Sequence, residues 1–313
     1  MKKKILFTSL TGYPNPNCGG PTRIVYELLR NLDYSKFEPY FLSYDMYRRY
    51  HSKNELNSNQ SLNIYHKRSL GYKLYDNCAV YRKIVSSNSY LKYHYSKKDR
   101  YFNKKKIDAV NFDIIHCHDL LSAYYFIGNT NTKKILTIHS KGSHISELRE
   151  VPALSNNFKI KLKDFSKREK TVFSSFDIVT FPSSAAYNLF LSDLQISEHS
   201  SDKIKIIYNG INVNRINSIQ PENILEKYKI NKQDFDLTLL NVAQHVKPKN
   251  FDLIIKSIKI LNDKHKIRTL LINIGEGYLT DYYEEIIKEN SLENQVRFLG
   301  MISNDDVIRL MKS

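Results

Sequence analysis

Residues Leu237 to Lys256 read LTLLNVAQHVKPKNFDLIIK. Leu237–Ala243 is a short, nearly unbroken apolar run, the pattern of a strand buried on both faces. A basic turn follows (His245, Lys247, Pro248, Lys249), then a helix with Phe251, Ile254, Ile255 and Ile258 on one stripe. A strand, a basic turn and a helix N-terminus make an anion site. Free amide N–H groups and the positive dipole end point into the turn, and a Lys ammonium adds a full charge. The same pattern also serves as an ordinary βα turn with a solvated lysine.

Working outward, the pattern repeats. After it come Thr269-Leu-Leu-Ile-Asn-Ile-Gly-Glu-Gly277 and Val296-Arg-Phe-Leu-Gly300; before it lies Lys203-Ile-Lys-Ile-Ile-Tyr-Asn-Gly-Ile-Asn212. In the first half, strands are expected near Lys3, Phe37, Asp113, Lys134, Asp177 and Lys203. Helices are expected over 21–32, 120–127 and 158–173. Strands alternating with helices imply doubly wound parallel sheets. The alternation stops over the polar stretch 212–236 and restarts at Leu237, which sets two domains, 1–210 and 211–313. Two such sheets facing one another would place their ligand crevices across one cleft.

That ordered series resembles the donor-binding half of retaining group-4 glycosyltransferases of the GT-B fold. In that family a strand ending in Asn-Gly is followed by a Gly-Arg…Lys-Gly turn, a Gly-x-Gly turn and a Phe-x-Gly turn. The resemblance implies an α/β fold of two Rossmann-like domains. It also implies sugar transfer from a nucleotide diphosphate sugar to a lipid-linked or polysaccharide acceptor, with neither a metal nor another cofactor. It assigns the donor to Gly19, Gly20, Gln244, Lys249, Gly275 and Gly277, and to the backbone of Met301 and Ile302. His139, in Thr-x-His, would sit beside the reacting carbon, and Arg23 of Gly-Gly-x-x-Arg would lie on the acceptor side. Gln244 stands where the family has Arg, and Ala243 where it has Gly. Gln donates a hydrogen bond but carries no charge. The family's Glu-x7-Glu pair lies just past the strand that would follow Ser313, so the second domain reads as truncated at its C-terminal side. Glu276/Glu284 and Glu285/Glu293 share the spacing but sit one element too early. One preorganised electrostatic partner is worth about 10²–10³ in rate, and at least two are missing by this reading, so little or no transferase activity is expected of these 313 residues.

Composition sets bounds rather than a function. Apolar residues make up 41% and aromatics 12%, which excludes a disordered chain. No run of 18 apolar residues is present. MKKKILFTSL imitates a leader, but its apolar part is short and breaks into Gly12-Tyr-Pro, so it reads as a buried first strand. Cys18, Cys78 and Cys117 follow no metal or disulfide spacing, as expected in a reducing cytoplasm. A net charge of +16 suits anionic partners such as sugar nucleotides or the inner face of a membrane. Residues 66–106 hold twelve Lys/Arg, two Asp and seven Tyr. That stretch reads as a solvated insertion or as an attachment to an anionic leaflet. No nucleic-acid-binding motif accompanies it, so no nucleic-acid partner is expected.

His116 and His118 receive plainer readings. His116 and His118 stand i, i+2 on one strand without a third acidic or thiol ligand nearby in sequence, which does not favour a metal. Asp119 reads as the cap of the next helix. Two further functions stay open: an inactive, truncated relative that at most binds, and a sugar-nucleotide epimerase of the same fold.

Overall fold

The computed structural model describes residues 1–9, 14–15, 20–42, 47–52, 54, 110–143, 146, 156–197 and 201–313. Gly19, Cys18 and the basic stretch 66–106 lie outside them. The chain divides into two compact units, Met1–Ile211 and Asn212–Ser313.

The first unit is built on a seven-stranded sheet. Its strands are β1 (Lys3–Thr8), β2 (Phe37–Leu42), β3 (Tyr47–Arg49), β4 (Ile114–Cys117), β5 (Lys133–Thr137), β6 (Ile178–Phe181) and β7 (Ile204–Ile206). They lie in the order β3-β2-β1-β4-β5-β6-β7, parallel except for the short edge strand β3. Helices cover both faces, as a parallel sheet requires. They are α1 (Gly20–Arg30), α2 (Leu120–Ala123), α3 (Asn156–Ser175) and α4 (Ser184–Leu194). β1 shows the alternation that this needs. Leu6 packs into the cluster with Leu136, Val179, Phe181 and Phe190, whereas Ile5 and Phe7 pack on the other face with Val25, Tyr26 and Leu29 of α1. Each such buried side chain stabilises the fold by roughly 1.5–3 kcal/mol. Pro21 and the stripe Val25/Leu29 account for α1 where the sequence placed it. The stretch expected as one helix over 120–127 is instead a single α-turn, α2, followed by a 3-10 turn, Tyr124–Phe126.

Chain order reverses at β1, which has β2 on one side and β4 on the other. Open α/β sheets bind ligands at such switch points, beyond the strand C-termini. Ser9 and His118, both buried, occupy that position.

The second unit holds β8 (Leu237–Val242), β9 (Thr269–Ile274) and β10 (Val296–Phe298), parallel and in the order β10-β9-β8. The helices are α5 (Val213–Ser218), α6 (Ile224–Lys227), α7 (Phe251–His265), α8 (Thr280–Glu289) and α9 (Asn304–Lys312). Phe251, Ile255 and Ile258 of α7 and Tyr283 and Ile287 of α8 pack on the Leu271 face. On the opposite face Ile224, Ile230, Val307 and Leu310 cover Leu270, Ile272 and Ile274. α9 thus shields one face of this sheet. Every residue of β9 is buried, while β8 pairs only with β9 among the described residues and leaves Leu237 and Val242 exposed.

Candidate functional site

In the first unit the polar side chains gather past β1, β4 and β5. Phe7, His116, His118 and His139 form a column of rings. Centroids of His116 and His118 lie 4.2 Å apart, those of His118 and His139 5.3 Å, and Phe7 stands 5.6 Å from His116. Nδ1 of His118 is 3.0 Å from Nε2 of His139. A parallel chain of hydrogen bonds joins Nε2 of His116 to Oγ1 of Thr137 (2.8 Å) and that oxygen to Oγ1 of Thr180 (2.7 Å). The neighbouring Asp119 caps α2, accepting from the N–H of Ser122 at 2.7 Å, and Thr8 Oγ1 donates to Ser122 Oγ. The reading of Asp119 as a cap holds. His116 and His118, which i, i+2 spacing alone left without a function, are neighbours of His139.

Burial sets the charge of this column. It pushes His116 down to about 3, with help from His139, and drives His118 well below the ordinary histidine value. It also lowers His139 to about 4. At neutral pH these rings act as hydrogen-bonding groups, not as cations.

The loop after His139 is pinned from a distance. Asp193, on α4, accepts from the N–H and Oγ of Ser143 at 2.9 and 3.0 Å. Gly142 has φ +113, and a Cβ there would meet Asp193 Oδ2 at 2.7 Å, so glycine is needed for the approach. Nothing in the sequence signalled Asp193, which lies fifty residues from Ser143.

Gly20 opens α1 with φ +57. Arg23 is held against its own helix: its guanidinium is 2.5 Å from Glu27 and lies over the Tyr26 ring. The i, i+4 spacing of Arg23 and Glu27 explains the pair.

In the second unit three turns meet. Backbone hydrogen bonds join Ala243 N–H to Ile274 O, His245 N–H to Glu276 O, Leu279 N–H to His245 O and Gly275 N–H to Gly300 O. The turns after β8, β9 and β10 thus form one continuous surface. Both glycines of Gly-x-Gly are required by this approach. A Cβ on Gly275 (φ +129) would lie 2.1 Å from Ala243 O, and one on Gly277 would lie 2.3 Å from His245 O. Gly300, at φ +65, has the Glu276 carboxylate over it. Met301 is exposed, whereas Ile302 packs half-buried against the core beneath α9.

His245 is not part of the exposed basic turn. It is 1% exposed and surrounded by the rings of Phe251, Tyr283 and Phe298. Asn241 Nδ2 donates to Asn273 Oδ1 (2.6 Å), and Asn273 Nδ2 donates to His245 Nε2 (2.5 Å). His245 Nδ1 then faces Thr280 Oγ1 at 2.8 Å, and Thr280 receives the N–H of Gly277. Burial lowers its pKa against the opposing pull of Glu276 and Glu284. Positive charge on this surface comes from Lys247 and Lys249, both exposed, and Gln244 is exposed beside them. The N-cap of α7, Asn250, is in the left-handed region (φ 50) and makes no side-chain cap hydrogen bond. In the first turn of α7 the N–H of Leu253 is bonded to Asn250 O and that of Phe251 to Tyr283, so the attraction for an anion here comes from the two lysines and the helix dipole. No group of three His, Cys, Asp or Glu suited to a metal occurs among the described residues.

Two parallel-sheet units with turns of this kind define the class, that of GT-B glycosyltransferases. Residues 18–215 match the family model described as Glycosyltransferase Family 4, and the chain belongs to that family. Residues 222–313 match the model described as Glycosyl transferases group 1. An uncharacterized glycosyltransferase of Methanocaldococcus jannaschii, MJ1607, is 26% identical over 205 residues, covering 64% of this chain and 50% of the relative. The chain thus spans about half the length of that relative. Among solved structures, sucrose-phosphate synthase from Thermosynechococcus elongatus is similar with TM-score 0.63 at 15% identity, over 99% of this chain and 73% of the synthase. HepE of Anabaena, in complex with UDP and glucose, is similar with TM-score 0.58 at 15% identity, over 99% of this chain and 72% of HepE.

Proposed function

We propose that this protein transfers a sugar from a nucleoside diphosphate sugar to a lipid-linked or polysaccharide acceptor, with retention at the anomeric carbon. The observation that carries the reading is the stitched surface of three turns in the second unit, with Lys249 in front of the start of α7. A diphosphate is the ligand whose charge suits two exposed ammonium groups at the positive end of a helix dipole. Membership of glycosyltransferase family 4 supports the same reading, as does the UDP and glucose held by the structurally similar HepE.

Chemically, the bond from the anomeric carbon to the diphosphate oxygen breaks while the acceptor oxygen bonds to that carbon. The departing diphosphate takes the acceptor's proton. Lys249 and the positive dipole end of α7 offset the negative charge growing on the leaving group, with no metal called upon. Gln244 contributes a hydrogen bond but no charge. His139, neutral at the operating pH, orients a hydroxyl beside the reacting carbon and leaves the proton transfer to the phosphate. In the second unit Gly275 and Gly277 let the turns after β8 and β9 close on each other, and the backbone at Met301 and Ile302 would extend that surface toward the nucleotide; Gly20 opens α1 in the first unit. The net charge of +16 supports work at an anionic membrane face, where a lipid-linked acceptor would reside. No helix among the described residues is long and apolar enough to cross a membrane.

The test is a panel of UDP-, GDP- and ADP-sugars offered to the purified protein, with nucleoside diphosphate release and ligand-induced thermal shift both recorded. One nucleotide class is expected to stabilise the protein and to be released from its sugar. Neither shift nor release with any of the panel would overturn the reading.

A further inference from the structure

His118 and His139 share a single hydrogen bond, Nδ1 to Nε2 at 3.0 Å. Both rings are held neutral by burial, so one proton lies between them. Two arrangements are chemically available. In one, His139 donates from Nε2, and His118 must then carry its own proton on Nε2. In the other, His118 donates from Nδ1, its Nε2 is a bare lone pair, and His139 carries its proton on Nδ1.

Nε2 of His118 decides between them. Among the described residues that atom is buried and reaches no partner, in a residue 1% exposed. Its ring lies against those of His116 and Phe7, centroids 4.2 and 6.3 Å away. An orphaned N–H in such a place is rarer and costlier than an unfilled acceptor. The second arrangement therefore holds.

We propose that His118 is a positioning residue, fixing the His139 ring with Nε2 as acceptor and leaving Nδ1–H as its free hydrogen-bond donor. In function this rests on the transferase reading above. A fixed neutral donor grips an oxygen of the sugar or acceptor, and because Nδ1 already bears its proton it cannot serve there as a base. The imidazole Nε2, tied to His118, is withdrawn from the reaction.

The experiment needs no substrate, so its outcome is separate from that of the transferase screen. Long-range 1H–15N correlation spectra of the full chain with 15N-histidine at pH 7.5 report the tautomer of each ring. The His139 signals are those lost in His139→Gln. The wild-type protein is expected to show His139 protonated on Nδ1; an Nε2-protonated signature would overturn the proposal. His118→Asn puts an amide N–H near the place of Nδ1 and is expected to keep that signature. His118→Gln carries its amide one methylene too far and is expected to return His139 to an averaged or Nε2-protonated form. An unchanged signature in His118→Gln would equally overturn the assignment of His118.

Discussion

Gly275→Ala puts the packing of the second unit to a quantitative test. The new Cβ would stand 2.1 Å from Ala243 O and 2.8 Å from its carbonyl carbon. Relief requires the turn to move by about 1 Å, since ordinary contact begins near 3.4 Å. The chain on either side is tied by Ala243 N–H to Ile274 O (3.0 Å) and Gly275 N–H to Gly300 O (2.9 Å). Losing both would cost about 1 kcal/mol each, and a side chain at φ +129 adds roughly 1–3 kcal/mol of backbone strain. The total, about 3–5 kcal/mol, is a large share of the 5–15 kcal/mol typical of a domain. For a unit of this size it corresponds to a fall in Tm of well over about 10 °C. Scanning calorimetry with urea titration measures it. Gly128→Ala is the control, since its Cβ would meet nothing within 4 Å, and it should melt within about 2 °C of wild type. A Gly275→Ala protein that melts with the control would refute the close approach of the two turns.

Acid should weaken the first unit from about pH 6.5 downward. His116 and His139 have folded values near 3 and 4, and His118 is also depressed, so the unfolded chain binds more protons between those values and 6.5. Each buried ring then removes up to about 1.4 kcal/mol per pH unit, and a stability flat from pH 7 to 5 would contradict the account. Asp306 behaves oppositely at lower pH: burial raises its carboxyl, but bonds from Lys227, Tyr228, Arg309 and Ser303 outweigh this and hold it at about 2. Its support is present above about pH 4 and lost as pH falls through 2, and Asp306→Ala should lower urea-measured stability by about 2 kcal/mol at neutral pH. Asp193→Ala should speed amide exchange at Ser143, with Asp193→Asn close to wild type because its carbonyl oxygen can still accept both bonds.

The parallel strands were legible because a strand covered on both faces is a short apolar run, and Thr269–Ile274 is an unbroken case with all six residues buried. Asp119 was legible too, because capping is local chemistry. Non-local contacts were not. Nothing in HCH at 116–118 shows that β5 lies beside β4, so His118 could not be joined to His139 from sequence. His245 was grouped with its basic neighbours in the turn, although a signal for its burial existed. The strands LTLLNV and TLLINI each carry Asn at the fifth position, and in register Asn241 pairs with Asn273. Two asparagines facing each other inside apolar strands call for a buried polar partner, and His245 is that partner.

The central claim is that the turn at Lys249 holds a nucleoside diphosphate. Isothermal titration of wild-type and Lys249→Ala proteins with UDP, GDP and ADP, at two salt concentrations, addresses it most directly. The account predicts that one of the three binds and that affinity weakens as salt rises. Loss of the ammonium should weaken it by about tenfold or more, the worth of one charge-assisted hydrogen bond. Equal affinity in the two proteins, or no binding of any nucleotide to wild type, would contradict it.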